Sequence, residues 1–105
     1  LEYLDYLIEW AHKNNLEFHI TELNLWVKEE NPNLDSVQNI QSELYEKIIN
    51  KMISKKNNGV VALNFWGMKD RKGAHKLNRN ILSIYDQSLI PNPALNTIKR
   101  TLKSN

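Results

Sequence analysis

The stretch VVALNFW, residues 60–66, is a near-continuous apolar run that contains β-branched and aromatic residues. Such a run predicts a strand that is covered on both faces, as the strands of parallel sheets are. Gly67 closes the run, and helical patterns precede and follow it. This stretch therefore places the chain in the α/β class.

Hydrophobic periodicity predicts three helices around this strand. The first spans residues 1–14 and is amphipathic. The second follows a loop at Asn31-Pro32-Asn33, with Asp35 as its N-cap and with Gly59 just past its C-cap. The third opens at Pro91-Asn92-Pro93. The apolar stripes of the three are Leu1, Leu4, Ile8 and Ala11; Val37, Ile40, Leu44, Ile48 and Met52; and Leu95, Ile98 and Leu102.

A second strand is predicted over residues 16–23, within which lies the stretch FHITELN, residues 18–24. Because side chains alternate along a strand, Phe18, Ile20 and Glu22 are expected to share one face, with His19 packed on the other, between strand and helix. The order helix–strand–helix–strand–helix predicts a parallel α/β unit. Two parallel strands cannot close a core, so the pattern predicts part of a larger sheet or barrel.

The composition is that of one ordinary soluble globular domain: 105 residues, 41% hydrophobic and 25% charged. The net charge of +2 gives no general attraction to nucleic acid or to an anionic membrane, and no apolar run approaches a membrane span. The chain has no cysteine, which excludes disulfides. It lacks an initiator Met and begins inside an amphipathic pattern, so we expect a segment of a longer protein.

Two strand ends resemble those of a known family. HITELN, residues 19–24, and NFWGMKDRKGAH, residues 64–75, are similar to the last two strand ends of glycoside hydrolase family 10. That family ends its seventh strand in a Thr-Glu-Leu-Asp type motif and carries Trp-Gly-x-x-Asp at its eighth. Gln41 and Tyr45 match a Gln and a Tyr of the intervening helix, and Asn92-Pro93-Ala94 matches the family's Lys-Pro-Ala. The resemblance spans nearly the whole chain, in order.

The resemblance implies a fold and a reaction. Residues 1–105 would be the C-terminal quarter of a (β/α)8 TIM barrel, from its sixth helix to its eighth, and so the C-terminal part of a catalytic domain. The family contains mainly endo-β-1,4-xylanases, which are retaining enzymes. The implied function is therefore cleavage of internal β-1,4-xylosidic bonds of xylan by way of a glycosyl-enzyme.

The same resemblance assigns roles to residues. Glu22 matches the nucleophile, and Trp66 matches a tryptophan of the sugar-binding floor, where a flat apolar ring can cover a sugar face. Asp70 matches an Asp that is expected to hold a loop. The acid/base partner would be a Glu upstream of Leu1, so the 105-residue chain alone is expected to be inactive.

The implied partners are a polysaccharide, xylan or a related β-glycan, and the missing N-terminal part of the barrel. No cofactor is implied, and neither nucleic acid nor a membrane is an expected partner. The three histidines form no i, i+4 pair, so no metal site is predicted. The location is expected to be extracellular, because polysaccharides lie outside cells.

Two departures from the family leave other functions open. Asn24 stands where the family keeps an Asp that helps to orient a histidine near the nucleophile, and Ala74 stands where it keeps a second Trp. The chain could therefore belong to a barrel hydrolase for another β-glycan, or to an inactive carbohydrate-binding remnant. Taken alone, Glu22 would be an ordinary solvated strand end, and it is the surrounding match that favours a catalytic role. For Trp66, simple core packing is the alternative to sugar binding. The basic loop 69–76 fits a solvated rim better than a nucleic-acid patch, because it lacks aromatics.

Overall fold

The computed structural model describes residues 1–25, 34–70 and 83–105. Within them the chain forms helix α1 (Glu2–Lys13), strand β1 (Phe18–Leu23), helix α2 (Leu34–Ser54), strand β2 (Val61–Phe65) and helix α3 (Pro93–Lys103). The predicted element order is confirmed. None of the described helices combines the length and the hydropathy needed to cross a membrane.

The two strands pair in parallel, and one bulge interrupts their register. Phe18 pairs with Val61 and Ile20 with Leu63, but the next pair is Leu23 with Phe65. Between these pairs β1 therefore contains one residue more than β2. Apart from this extra residue, the pairing is that of neighbouring strands in a parallel sheet.

The bulge changes which β1 side chains face the helices. Phe18 and Ile20 pack against the helices, and after the bulge it is Leu23, not Glu22, that packs there. The prediction that Phe18, Ile20 and Glu22 share one face is therefore wrong. The extra residue shifts the alternation, and Glu22 is exposed.

Helix α2 contributes to both clusters of the core. One buried cluster joins Tyr45 and Ile49 to α3 and to Ile84, and a second joins Ile48 and Met52 to Ile8 of α1. Tyr45 also packs edge-to-face on Phe65 of β2, with ring centroids 5.6 Å apart. Because α2 contacts both strands and both other helices, its inner face sets the position of the sheet.

Details of the helix ends differ from the expectations. Helix α2 begins at Leu34, so Asp35 lies in its first turn and is not the N-cap. Leu102, expected in the apolar stripe of α3, is 56% exposed. Thr97 and Thr101 are buried instead, and Thr101 Oγ1 donates a hydrogen bond to the Thr97 carbonyl. The helix at Ser54 ends too early for Gly59 to be its cap residue.

Gly59 has a steric role in place of the expected capping role. A Cβ atom at Gly59 would lie 2.5 Å from Cδ2 of His12, whose Nε2 is 3.0 Å from the Val60 carbonyl oxygen. This close approach joins the end of α1 to the start of β2, and no residue larger than glycine fits without moving the imidazole.

We expect Gly59→Ala to destabilise the fold by about 1–3 kcal/mol, because the methyl group displaces the His12 ring from its hydrogen bond. Urea denaturation of the domain that contains this chain measures the change. In a His12→Ala background the same substitution should cost much less. Equal costs in both backgrounds would show that His12 is not the cause.

Ion pairs also join α1 to α2. Lys51 Nζ contacts Asp5 Oδ2, and one turn further on Lys55 Nζ lies 2.6 Å from Glu9 Oε1. The hydrogen bond from Lys51 lowers the pKa of the Asp5 carboxyl, and the hydrogen bond to Glu9 raises the pKa of Lys55. The Asp5 pair stabilises the fold at neutral pH and is lost as the pH falls through the lowered pKa. The pair of Lys55 with Glu9 is lost as the pH rises through the raised pKa of Lys55.

Burial of Tyr45 predicts a loss of stability in alkali. The side chain is 2% exposed, and burial raises its pKa from 10.0 to about 12. The protonated phenol is favoured in the folded state, so stability is full below pH 10 and falls as the pH rises. Between pH 8 and 11 we expect the free energy of unfolding of Tyr45→Phe, measured by urea denaturation, to fall by about 1 kcal/mol less than that of the wild type. The exposed Tyr3→Phe is the control, and an equal loss in all three proteins would contradict the prediction.

Candidate active site

Glu22 lies at the carboxyl end of β1, in the bulge. Thr21 and Glu22 are both exposed, whereas Leu23 turns back to pack against the helices. A bulge at the rim of a sheet is a common means of re-aiming a side chain. Because Leu23 takes the side that faces the helices and Glu22 is exposed, we infer that the bulge keeps the Glu22 side chain away from the helices.

Trp66 follows directly after β2 at the same edge of the sheet. Its backbone N–H donates to the Leu23 carbonyl over 2.9 Å, so the two strand ends are joined one residue beyond Glu22. Val61, Leu63 and Phe65 pack against the helices, and alternation places Trp66 with Ala62 and Asn64 on the opposite face. The indole is 59% exposed. Glu22 and Trp66 therefore stand on neighbouring strands, at one edge.

His19 also lies on the face that the helices leave open. It is exposed, and its Nε2 is 2.9 Å from Glu17 Oε2. The expectation that it packs between strand and helix is wrong, because Phe18 and Ile20 occupy that side of β1. Asn24 is half-buried just after the strand, two residues beyond Glu22. Ala74 and most of the predicted basic loop lie outside the described residues.

Asp70 is 9% exposed and sits in a hydrogen-bond network behind the loop of Trp66. Its Oδ1 accepts the Ser83 backbone N–H over 2.5 Å, and its Oδ2 accepts from Asn92 Nδ2 over 3.0 Å. Each oxygen of this buried carboxylate therefore accepts one hydrogen bond from within the protein. These contacts are the ones that a loop-holding residue needs.

Metal ligands are not gathered at this edge. Among the residues that the structure describes, no group of three or more His, Asp or Glu side chains could hold an ion. Of the described residues at this edge, Glu22 offers a carboxylate and Trp66 an exposed aromatic ring.

Comparison with known proteins identifies the family. The model of glycosyl hydrolase family 10 matches residues 2–101. The chain belongs to this family. No curated protein matches the chain.

Solved structures of family 10 enzymes share the fold. Xylanase 10B of Thermotoga petrophila, solved with xylobiose, matches with a TM-score of 0.76 and 23% identity over 95% of this chain and 31% of its own. Xylanase 10B of Thermotoga maritima gives the same TM-score and coverage at 19% identity. An endo-1,4-β-xylanase of Caldicellulosiruptor owensensis gives 0.69 and 24%, over 92% of this chain and 33% of its own. The family 10 chain thus spans about a third of these proteins and is a fragment of their barrel fold.

Sequence reasoning missed two residues of the hydrogen-bond network behind the candidate site. The first is Asn92, 5% exposed, whose side chain does not cap α3 but reaches Asp70 and the Ser83 carbonyl. The second is Ser83, which offers both its N–H and its carbonyl to the network. Asn92 could have been suspected, since a polar residue replaces the family's Lys immediately before the proline. Ser83 gave no signal, because its contribution is made by backbone atoms.

Proposed function

We propose that this chain is the C-terminal quarter of the barrel domain of a retaining endo-β-1,4-xylanase, from the sixth helix to the eighth. The observation that carries the proposal is that Glu22, exposed at the carboxyl end of β1, and Trp66, exposed just after β2, lie at the same edge of a parallel strand pair. Barrel enzymes build their active sites at this edge.

In this proposal Glu22 is the nucleophile. Its carboxylate attacks the anomeric carbon of a bound sugar, the glycosidic bond breaks, and a covalent glycosyl-enzyme forms on Glu22. A second carboxyl group protonates the leaving oxygen and then activates the water that releases the sugar. In retaining enzymes the two groups stand about 5–5.5 Å apart.

The acid/base residue would come from the part of the barrel that precedes this chain. Asp70 does not fit that role, because it is buried and both of its oxygens accept hydrogen bonds from protein donors. An acid/base group must instead reach the leaving oxygen and exchange a proton with it. The barrel's N-terminal part is therefore a necessary partner for activity.

Trp66 would form part of the floor on which a sugar ring lies. In the complete barrel we expect Trp66→Ala to raise KM for xylo-oligosaccharides about tenfold, because the apolar faces of the sugar lose an aromatic surface. Steady-state kinetics measures the effect, and Trp66→Phe should be intermediate. Trp10→Ala, which removes an exposed tryptophan from α1, is the matched control. An unchanged KM in Trp66→Ala would remove this residue from the binding site.

The substrate is proposed to be xylan, as the xylanases of the same fold suggest, and the site of action would be extracellular. A different β-glycan is the alternative that a single strand-end Glu and an aromatic floor also allow. Asn24 favours a third possibility, an inactive carbohydrate-binding remnant, because an amide cannot stabilise an imidazolium as a carboxylate can. Activity of the complete barrel on xylan, glucan and mannan, with Glu22→Gln as the blank, separates the three.

A further inference from the structure

The segment that carries Trp66 is held from behind by a second segment of chain. After Trp66 the backbone turns at Gly67, where φ is +81°, and then runs beside Tyr85. The Tyr85 N–H donates to the Met68 carbonyl over 3.1 Å, and the Asp70 N–H donates to the Tyr85 carbonyl over 2.9 Å. The Trp66 N–H is tied to β1, but residues 68–70 after it are held by Tyr85, so the position of this part of the loop depends on what fixes the segment 83–85.

Asn92 fixes that segment with all of its N–H groups. Its backbone N–H donates to the Ile84 carbonyl over 2.9 Å, and Nδ2 donates to the Ser83 carbonyl over 2.8 Å and to Asp70 Oδ2 over 3.0 Å. Both hydrogens of the amide are therefore used, one on each of the two segments. A carboxylate at this position would supply neither bond and would repel Asp70.

The network reaches to within one residue of Trp66. A methyl group added at Gly67 would lie 3.4 Å from Ser83 Oγ, which places Ser83 against the turn that follows the indole. Ser83 itself is held by Asp70 on its N–H and by Asn92 on its carbonyl. A displacement of Asn92 would therefore move Ser83, and Ser83 lies against the backbone turn beside Trp66.

We propose that Asn92 is a positioning residue for glycan binding, which holds Trp66 in its sugar-binding orientation through Asp70 and Ser83. The expected effect on glycan binding rests on the proposed function. The hydrogen bonds that hold the loop do not depend on it. What position 92 requires is a side chain with at least two N–H donors. The Lys of the family motif has three, so the Asn of this chain changes the charge and keeps the donors.

The test compares three variants in the complete barrel. Asn92→Asp keeps the size of the side chain and removes its N–H donors. Asn92→Lys restores donors, and Asn96→Asp makes the same chemical change at an exposed position of α3. Two readouts are needed: kcat and KM on xylo-oligosaccharides, and the 19F resonance of 5-fluorotryptophan at Trp66, assigned by its loss in Trp66→Phe.

For Asn92→Asp we expect KM to rise about fivefold with kcat within about twofold, and the Trp66 resonance to move and narrow while that of Trp10 stays. Asn92→Lys and Asn96→Asp should resemble the wild type in both readouts. An unmoved Trp66 resonance in Asn92→Asp, or equal damage from Asn92→Lys, would overturn the proposal.

The controls separate this proposal from the proposed function. If Glu22→Gln leaves activity intact, the nucleophile assignment fails, yet the fluorine resonance still reports on the loop. If Asn92→Asp does not fold, Asn92→Ser, a neutral helix cap with a single donor, is measured in the same way. Failure of both variants to fold would make Asn92 a purely structural residue and would also overturn the proposal.

Discussion

Glu22→Gln should abolish turnover of the complete barrel on xylan, with kcat reduced by about 10³-fold or more. The amide keeps the shape of the side chain but is not a nucleophile. It can neither attack the anomeric carbon nor leave as a carboxylate when the glycosyl-enzyme is hydrolysed. Glu22 is exposed at the strand end and packs against nothing in the core, so the variant should fold like the wild type. Initial rates on xylan, with thermal melting as the check of folding, measure the effect.

A matched variant makes this result specific. Glu17→Gln changes an exposed carboxylate that lies just before β1 and pairs with His19, and it should leave kcat unchanged. Activity that survives in Glu22→Gln, or that falls equally in Glu17→Gln, would reject Glu22 as the nucleophile. If activity falls equally in both variants, the negative charge of Glu22 contributes only to the electrostatic potential at the site.

The isolated 105-residue chain should release no sugar from xylan and should not remain monomeric. Within residues 1–25, 34–70 and 83–105 the sheet has two strands, each with no further strand on its outer edge, and such an edge offers unpaired N–H and C=O groups to other chains. Helix α1 also exposes an apolar stripe that is formed by Tyr3, Tyr6, Leu7 and Trp10. An apolar groove of about 380 Å³, lined by α2, β2 and α3, opens beside β2.

Light scattering during gel filtration tests this prediction. We expect oligomers or aggregates at tens of micromolar, and a shift to a defined heterodimer with xylanase activity when the rest of the barrel is co-expressed. A monomer with a cooperative melting transition would contradict the prediction, as would hydrolysis by the chain alone. Tyr3→Ser with Trp10→Ser should reduce self-association if the α1 stripe is a main cause of it.

The fold was predictable because its signals are local. The apolar run at 60–66 and the helical stripes before and after it indicated a parallel α/β unit, and the structure has that order. The errors lie where tertiary packing overrides local pattern. Gly59 looked like a helix cap, but its small size serves the His12 ring, a neighbour 47 positions away in the chain that sequence patterns do not reveal.

Motifs in the sequence nominate the residues of the candidate site, but they do not give its geometry. Glu22 and Trp66 were marked by motifs, but strict alternation would have turned Glu22 toward the helices with Phe18 and Ile20. The bulge between Ile20 and Leu23 reverses this, and bulges carry no signature in a single sequence. The Asn92 contacts were hidden for another reason, since they depend on the packing of α3 against the loop that carries Asp70.

Trapping of the glycosyl-enzyme tests the central claim most directly. A 2-fluoro-xylobioside with a good leaving group should form a covalent adduct with the complete barrel. The fluorine slows both attachment and release of the sugar, because both transition states resemble an oxocarbenium ion, and the good leaving group speeds attachment alone. Peptide mass spectrometry should then find the adduct on Glu22 and should find none in Glu22→Gln. An adduct on a different carboxylate, or none on a barrel that hydrolyses xylan, would contradict the account.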